Sequence, residues 1–139
     1  MLEQRACPDA ITFSREDGIV GDRWQPGDEA DAQVSLMDIR VASAIADRDD
    51  WSLFGDNLFV DLDLAVRALG PGDRLVVGDA VLEITAEPHL GCRKFMARVG
   101  PDALRWVNHK DVRDQRRRGI YARVVEPGTV RVGDTNRRP

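Results

Sequence analysis

A chain of 139 residues, 42% hydrophobic and 32% charged, is long enough for one domain with its own core and too short for separate cofactor and substrate modules. No uncharged run approaches the roughly 20 residues that cross a bilayer, and residues 1–9, with Glu3 and Asp9, lack the apolar stretch of a secretory signal. A formal net charge of -4, with no aromatic residues interleaving the arginines, argues against nucleic acid as a partner, and a cytoplasmic location without a membrane partner is expected.

In chain order, residues 11–14 are a candidate first strand. Residues 18–24 form a turn in which Arg23 is placed to meet an anion and Asp22 to fix the loop. Ser35 is read as the cap of a helix whose Leu36, Ile39 and Ile45 lie near one face, ending before the acidic cluster at 47–50. Residues 57–64 alternate Leu58, Val60, Leu62 and Leu64 with polar or outward positions, the period of a half-buried strand. Residues 75–77 and 80–87, joined by Gly78-Asp79, predict a hairpin. Residues 93–99 fit either period, and the following Gly100-Pro101, a helix stop and then a helix start, favours a helix. Short helices follow at 102–108 and 111–117, then strands at 120–125 and 129–132, read as a second pair. Gly-Asp recurs at 21–22, 27–28, 55–56, 72–73, 78–79 and 133–134, each a predicted reversal of direction. Many reversals and short strands predict a mainly β, α+β barrel or sandwich with peripheral helices.

The chemistry-bearing residues concentrate in Pro88-His89-Leu90-Gly91-Cys92-Arg93-Lys94-Phe95. A thiol becomes a nucleophile or metal ligand as the thiolate, which neighbouring cations and a helix N-terminus stabilise. Cys92 has both in prospect, with Gly91 leaving room for a ligand to approach; inert packing is the ordinary fate of a single cysteine. The chain's other cysteine, Cys7, lacks such surroundings, and two cysteines 85 positions apart make no disulfide framework. His89 is a candidate to hydrogen-bond a ligand or take the thiol proton. A zinc site built from His89, Cys92 and His109 has only weak spacing support.

Charge is unevenly divided. Residues 1–89 hold seven arginines against nineteen carboxylates, a balance of -12, whereas residues 90–139 hold thirteen Lys/Arg against five carboxylates, a balance of +8. Arg113, Arg116, Arg117 and Arg118 form the densest basic group, suited to binding phosphate or to being a solvated helix face.

Several of these segments together resemble the MOSC domain, a module also found at the C-terminus of molybdenum cofactor sulfurases. They are Gly18-Ile19-Val20-Gly21-Asp22-Arg23, Phe54-Gly55-Asp56-Asn57-Leu58, Pro71-Gly72-Asp73-Arg74-Leu75, Gly91-Cys92-Arg93-Lys94-Phe95, and Arg118-Gly119-Ile120-Tyr121-Ala122-Arg123-Val124 running into Pro127-Gly128. The resemblance implies a β-barrel with peripheral helices over residues 18–139, with residues 1–17 as an N-terminal segment supplying a barrel strand. It further implies a bound molybdenum cofactor, a molybdenum-pterin, with Cys92 as sulfur carrier or metal-coordinating thiolate. Arg23, His89, Arg93, Lys94, Arg118 and Arg123 are the implied cofactor-binding residues. Partners implied are a small-molecule ligand and a sulfur donor or electron-transfer protein. Reduction of N-hydroxylated compounds is the alternative activity, and a binding module without the metal is the alternative outside catalysis. The pyridoxal phosphate module of the fused sulfurases has no counterpart in the 139 residues, so cysteine desulfuration is not expected of this chain.

Overall fold

The computed structural model of the chain describes residues 9–21 and 30–137. Nine strands occur in it: β1 (Ala10–Ser14), β2 (Gly18–Ile19), β3 (Val34–Asp38), β4 (Leu58–Val60), β5 (Arg74–Val77), β6 (Ala80–Ile84), β7 (Ile120–Glu126), β8 (Gly128–Arg131) and β9 (Asn136–Arg137). Three α-helices, α1 (Ile39–Ile45), α2 (Arg93–Val99) and α3 (Pro101–Val107), and short 3-10 segments that include Arg48–Phe54 and Lys110–Gln115 complete the described part. The strands form a three-stranded sheet, β2-β1-β8, and a mixed six-stranded sheet, β4-β3-β7-β6-β5-β9, which together nearly close into a barrel. The fold is thus mainly β with peripheral helices, the class expected from the many short strands.

The barrel interior is filled by Phe13, Val34, Leu36, Leu64, Leu69, Leu75, Leu82, Ile84, Ile120 and Ala122, all nearly or fully inaccessible. A second core lies under the helices, where Met37, Ala42, Phe54, Phe95 and Val107 meet. Strand β3 separates the two. Val34 and Leu36 face the barrel, Met37 faces the helices, and so both sides of the strand are buried. A strand buried on both faces shows no alternation of apolar and polar residues. That is why the segment was expected to open a helix at Ser35, an expectation the structure corrects. Ser35 lies mid-strand, its amide bonded to Asn57 Oδ1 at 2.9 Å, and the helix begins four residues later with Asp38 as its cap, accepting from the Arg40 N–H at 2.9 Å.

The strand expected over 57–64 is confined to Leu58–Val60, which runs parallel to β3 with Leu36 opposite Leu58. Phe59, placed outward by simple alternation, stacks on Trp51 at 5.1 Å in the helical core. The β5–β6 hairpin forms as expected, with Val77 opposite Ala80 across Gly78-Asp79. Strands β7 and β8 both exist but do not pair with each other. Strand β7 sits between β3 and β6, while β8 pairs with β1. The single residue between them, Pro127, cannot make a hairpin, and Gly128 lies so close to the Asp79–Ala80 backbone that an added Cβ would come within 2.5 Å. The chain therefore steps from one sheet to the other at Gly128. Residues 11–14 are indeed strand, and β1 joins the small sheet through β2 and β8.

Candidate functional site

Cys92 stands where the loop after β6 enters α2. Its carbonyl accepts the first helical hydrogen bond, from Met96 N at 3.0 Å, and the residue is exposed. The entry is pinned from behind by one side chain. Asn108, at the end of α3, accepts from the Gly91 N–H at 2.8 Å and donates from Nδ2 to the Gly91 carbonyl at 2.9 Å, so the Gly91 peptide groups are gripped on both sides. A Cβ on Gly91 would meet Leu104 Cδ1 at 2.7 Å and Val107 Cγ2 at 3.1 Å. The room that Gly91 leaves is thus filled by α3, and the expectation that it admits a ligand is corrected: it lets the cysteine loop lie on the helix.

The thiol itself makes no cap hydrogen bond, yet the helix start favours its ionised form. The Phe95 amide lowers the Cys92 pKa most, the Lys94 amide and the charges of Arg118 and Lys94 act in the same direction, and partial burial opposes them. A cysteine in water titrates near 8.5. In a Cys7→Ser background the ultraviolet absorbance of the Cys92 thiolate is expected to rise with pH through a midpoint below that of the unfolded chain. Lys94→Met should move the midpoint upward, because the deprotonated form loses a nearby positive charge. A midpoint at or above that of the unfolded chain would contradict this.

Behind the thiol lies a buried polar group of three side chains. Arg118 donates from Nη1 to Asp56 Oδ2 at 2.5 Å and from Nη2 to the Phe54 carbonyl at 2.9 Å, with its guanidinium 4.9 Å over the Phe95 ring. The Arg118 and Asp56 side chains are 9% and 1% exposed. His89 lies alongside, its side chain 8% exposed, with Nδ1 3.9 Å from Asp56 Oδ1 and its ring stacked on Tyr121 at 4.2 Å. Burial, helped by the positive charge of Arg118, pushes the His89 pKa down to about 3. The imidazole is therefore neutral at physiological pH, and a base so weak is unfit to take the thiol proton. What it retains is hydrogen bonding, and its buried Nδ1 has no partner among the described residues. Tyr121 holds its phenolic proton firmly: burial raises its pKa, as do Asp56, Cys92 and Glu87, against the opposing charge of Arg118. The site thus combines a thiol biased toward thiolate, a fixed guanidinium, a neutral imidazole and a neutral phenol. Such a set can hold a soft metal or a transferable sulfur at Cys92 and donate hydrogen bonds to its ligands.

The basic residues anticipated around Cys92 separate in space. Arg93 and Lys94 are exposed beside it, and neither makes an ion pair or side-chain hydrogen bond among the described residues. Arg118 joins the site from inside, as a partner of Asp56. Arg123 is not brought there: it lies on the outer side of β7 and bonds Glu83 at 2.7 Å. Arg23 and Cys7 lie outside the described residues. His109 caps the 3-10 segment that follows α3, accepting from the Asp111 N–H at 3.2 Å, and among the described residues no three metal-ligating side chains converge. Next to His89 and Arg118 opens a cleft of about 340 Å³ whose lining includes Leu90, Arg113, Arg116 and Arg117, but not Cys92.

Residues 31–137 match the family model described as the MOSC domain. The chain belongs to the MOSC domain family. Solved structures share its fold. The MOSC domain here aligns with YiiM from Escherichia coli at a TM-score of 0.62 and 16% identity, covering 94% of this chain and 62% of that one. YiiM from Geobacillus stearothermophilus gives 0.60 at 16% identity, with 94% and 60% covered. The YuaD protein from Bacillus subtilis gives 0.60 at 20% identity, with 93% and 84% covered. This chain thus spans about three-fifths of the length of either YiiM structure. No curated protein matches it closely enough to count as a relative. No helix among the described residues of this MOSC domain is long and apolar enough to cross a membrane.

Three residues of the site escaped sequence reasoning. Asp56 carried a signal that was assigned to a turn: in Gly55-Asp56 the turn belongs to Gly55, which closes a 3-10 helix at φ 75°, and the aspartate turns inward. Tyr121 alternates with the inward residues of β7, so its position next to His89 depends on where the 86–92 loop crosses the sheet. Asn108 carried no signal at all, since its partner is backbone.

Proposed function

We propose that this MOSC domain binds the molybdenum cofactor through Cys92, which serves as a metal-coordinating thiolate or as a sulfur carrier. One observation carries this reading: an exposed thiol, biased toward thiolate by the start of α2, stands over a buried Arg118–Asp56 pair and next to two neutral hydrogen-bonding rings. The donor set fits the group. A thiolate is the soft ligand that molybdenum accepts, and the unpaired charges of Arg93 and Lys94 suit the pterin's phosphate. His89, neutral and with a buried nitrogen lacking a partner, is fit to hydrogen-bond the cofactor or its ligand. Arg118 acts by holding charge near the sulfur while fixed by Asp56 and the Phe54 carbonyl. Arg123, committed to Glu83 on the outer face, has no part in this arrangement. When bound, the cofactor supplies the redox or sulfur chemistry, and the protein supplies position and electrostatics.

Retention of metal tests the proposal. After loading with cofactor and desalting, the wild-type protein should keep molybdenum, while Cys92→Ser should keep roughly a tenth as much or less, the loss of about 1.4 kcal/mol of binding or more. Equal retention would remove the thiol from the coordination role.

A further inference from the structure

The cleft next to the thiol site is built differently from it. Three consecutive arginines fan out from one tight turn. Arg116 takes a left-handed conformation, φ 49° and ψ 52°, at the end of the 3-10 segment, and donates to the Leu69 carbonyl at 2.8 Å. Arg117 lies 4.4 Å over the Trp106 ring and is steadied by the Trp106 carbonyl and Gln115 Oε1, each at 3.1 Å. Arg118 turns inward to Asp56. Arg113, one turn earlier, is exposed, and its guanidinium makes no hydrogen bond or ion pair among the described residues. A left-handed arginine stores backbone strain of about 1 kcal/mol or more, and here the arginines around the strained turn all line one cavity.

The lining is otherwise largely apolar. Val66 and Leu90, 49% and 46% exposed, stand along this cleft with Val107 and Ile120. Glu87 also lines it and makes no ion pair with the arginines among the described residues; Asp73 raises the Arg116 pKa against the larger effect of burial. Cationic groups beside exposed hydrocarbon in one cleft suit a ligand with an anionic end and an apolar body.

We propose that this cleft binds a small organic anion, a carboxylate or phosphate monoester on an apolar body. Arg113 and Arg117 grip the oxyanion, and Val66 and Leu90 flank the body. His89 and Arg118 of the thiol site also line the cleft and Cys92 does not, so the proposal rests on Arg113, Arg117, Val66 and Leu90 and needs no cofactor.

Calorimetric titration of the full chain with phenyl phosphate and with inorganic phosphate tests it. Phenyl phosphate should bind about tenfold or more tighter than inorganic phosphate, since only it covers the apolar lining. Arg113→Gln and Arg117→Gln should each weaken phenyl phosphate about tenfold, whereas Cys92→Ser should leave it within about twofold. Arg113 is exposed and makes no side-chain pairing among the described residues, so its variant tests binding without threatening the fold. Equal affinity for the two anions, or indifference to Arg113→Gln, would overturn the site and leave a solvated basic face. Repeating the titration on cofactor-loaded protein assigns the occupant of a site that passes. Competition identifies the cofactor's own phosphate, and undiminished binding identifies a separate ligand.

Discussion

Gly119→Ala is expected to cost about 3–5 kcal/mol of folding stability, lowering Tm by roughly 10 °C or more. Gly119 has φ +123°, where a side chain is strained in any surroundings, and an added Cβ would come within 2.3 Å of the Leu36 carbonyl oxygen. That oxygen belongs to β3, pinned between β4 and β7, and has nowhere to move. The same Cβ would lie 3.3 Å from His89 Nδ1, so the imidazole would be crowded as well. Gly72→Ala is the matched control. Its φ of +89° brings strain but nothing lies within 4 Å of the added atom, so a cost of only about 1 kcal/mol is expected. Thermal unfolding of the two variants measures the difference. Equal losses would mean that the approach of β7 to β3 at Gly119 is not a close one.

Arg118→Met should cost about 3 kcal/mol and raise the Cys92 pKa. The substitution keeps most of the hydrocarbon over Phe95 but takes a cation away from a carboxylate that is 1% exposed. Breaking a buried ion pair from one side leaves desolvated charge behind, a far larger loss than that of a surface pair. The pKa change has the same sign, upward, for its two neighbours. Arg118 lowers both the Cys92 and the His89 pKa, so without it the thiolate is less favoured at neutral pH and the imidazole takes a proton more readily. Arg118→Lys keeps the charge and loses the two-pronged bonding to Asp56 and Phe54, so a smaller destabilisation is expected with the thiol pKa nearly preserved. Urea unfolding reads the first effect and thiolate absorbance the second. A stable Arg118→Met protein with an unchanged thiol midpoint would show that the pair neither supports the fold nor tunes the cysteine.

The parts of the fold legible in sequence are those decided over a few residues. The β5–β6 hairpin follows from Gly78-Asp79 between two alternating runs, and the break between α2 and α3 from Gly100-Pro101. Strand β3 was not legible, because burial on both faces erases the alternation that distinguishes a half-exposed strand from a helix. The partners of β7 and β8 were not legible either, since proximity in sequence suggested a hairpin and the contact of Gly128 with Asp79 sends the chain elsewhere. At the site, Cys92 could be picked out by its flanking Gly91, Arg93 and Lys94. The division of the arginine run could not, because Arg116, Arg117 and Arg118 look alike until Leu69, Trp106 and Asp56 take one each. Charge in a run reports composition, whereas its use depends on partners dozens of residues away.

The central claim is that the Cys92 sulfur bonds the metal of a bound cofactor. Protection from alkylation tests it most directly, in a Cys7→Ser protein where Cys92 is the remaining thiol. Without cofactor, the exposed thiol, its pKa lowered by the start of α2, should react readily with iodoacetamide. Loading with molybdenum cofactor should slow that reaction by roughly tenfold or more, as a thiolate engaged with metal is no longer a free nucleophile. An unchanged rate in fully loaded protein would contradict the account.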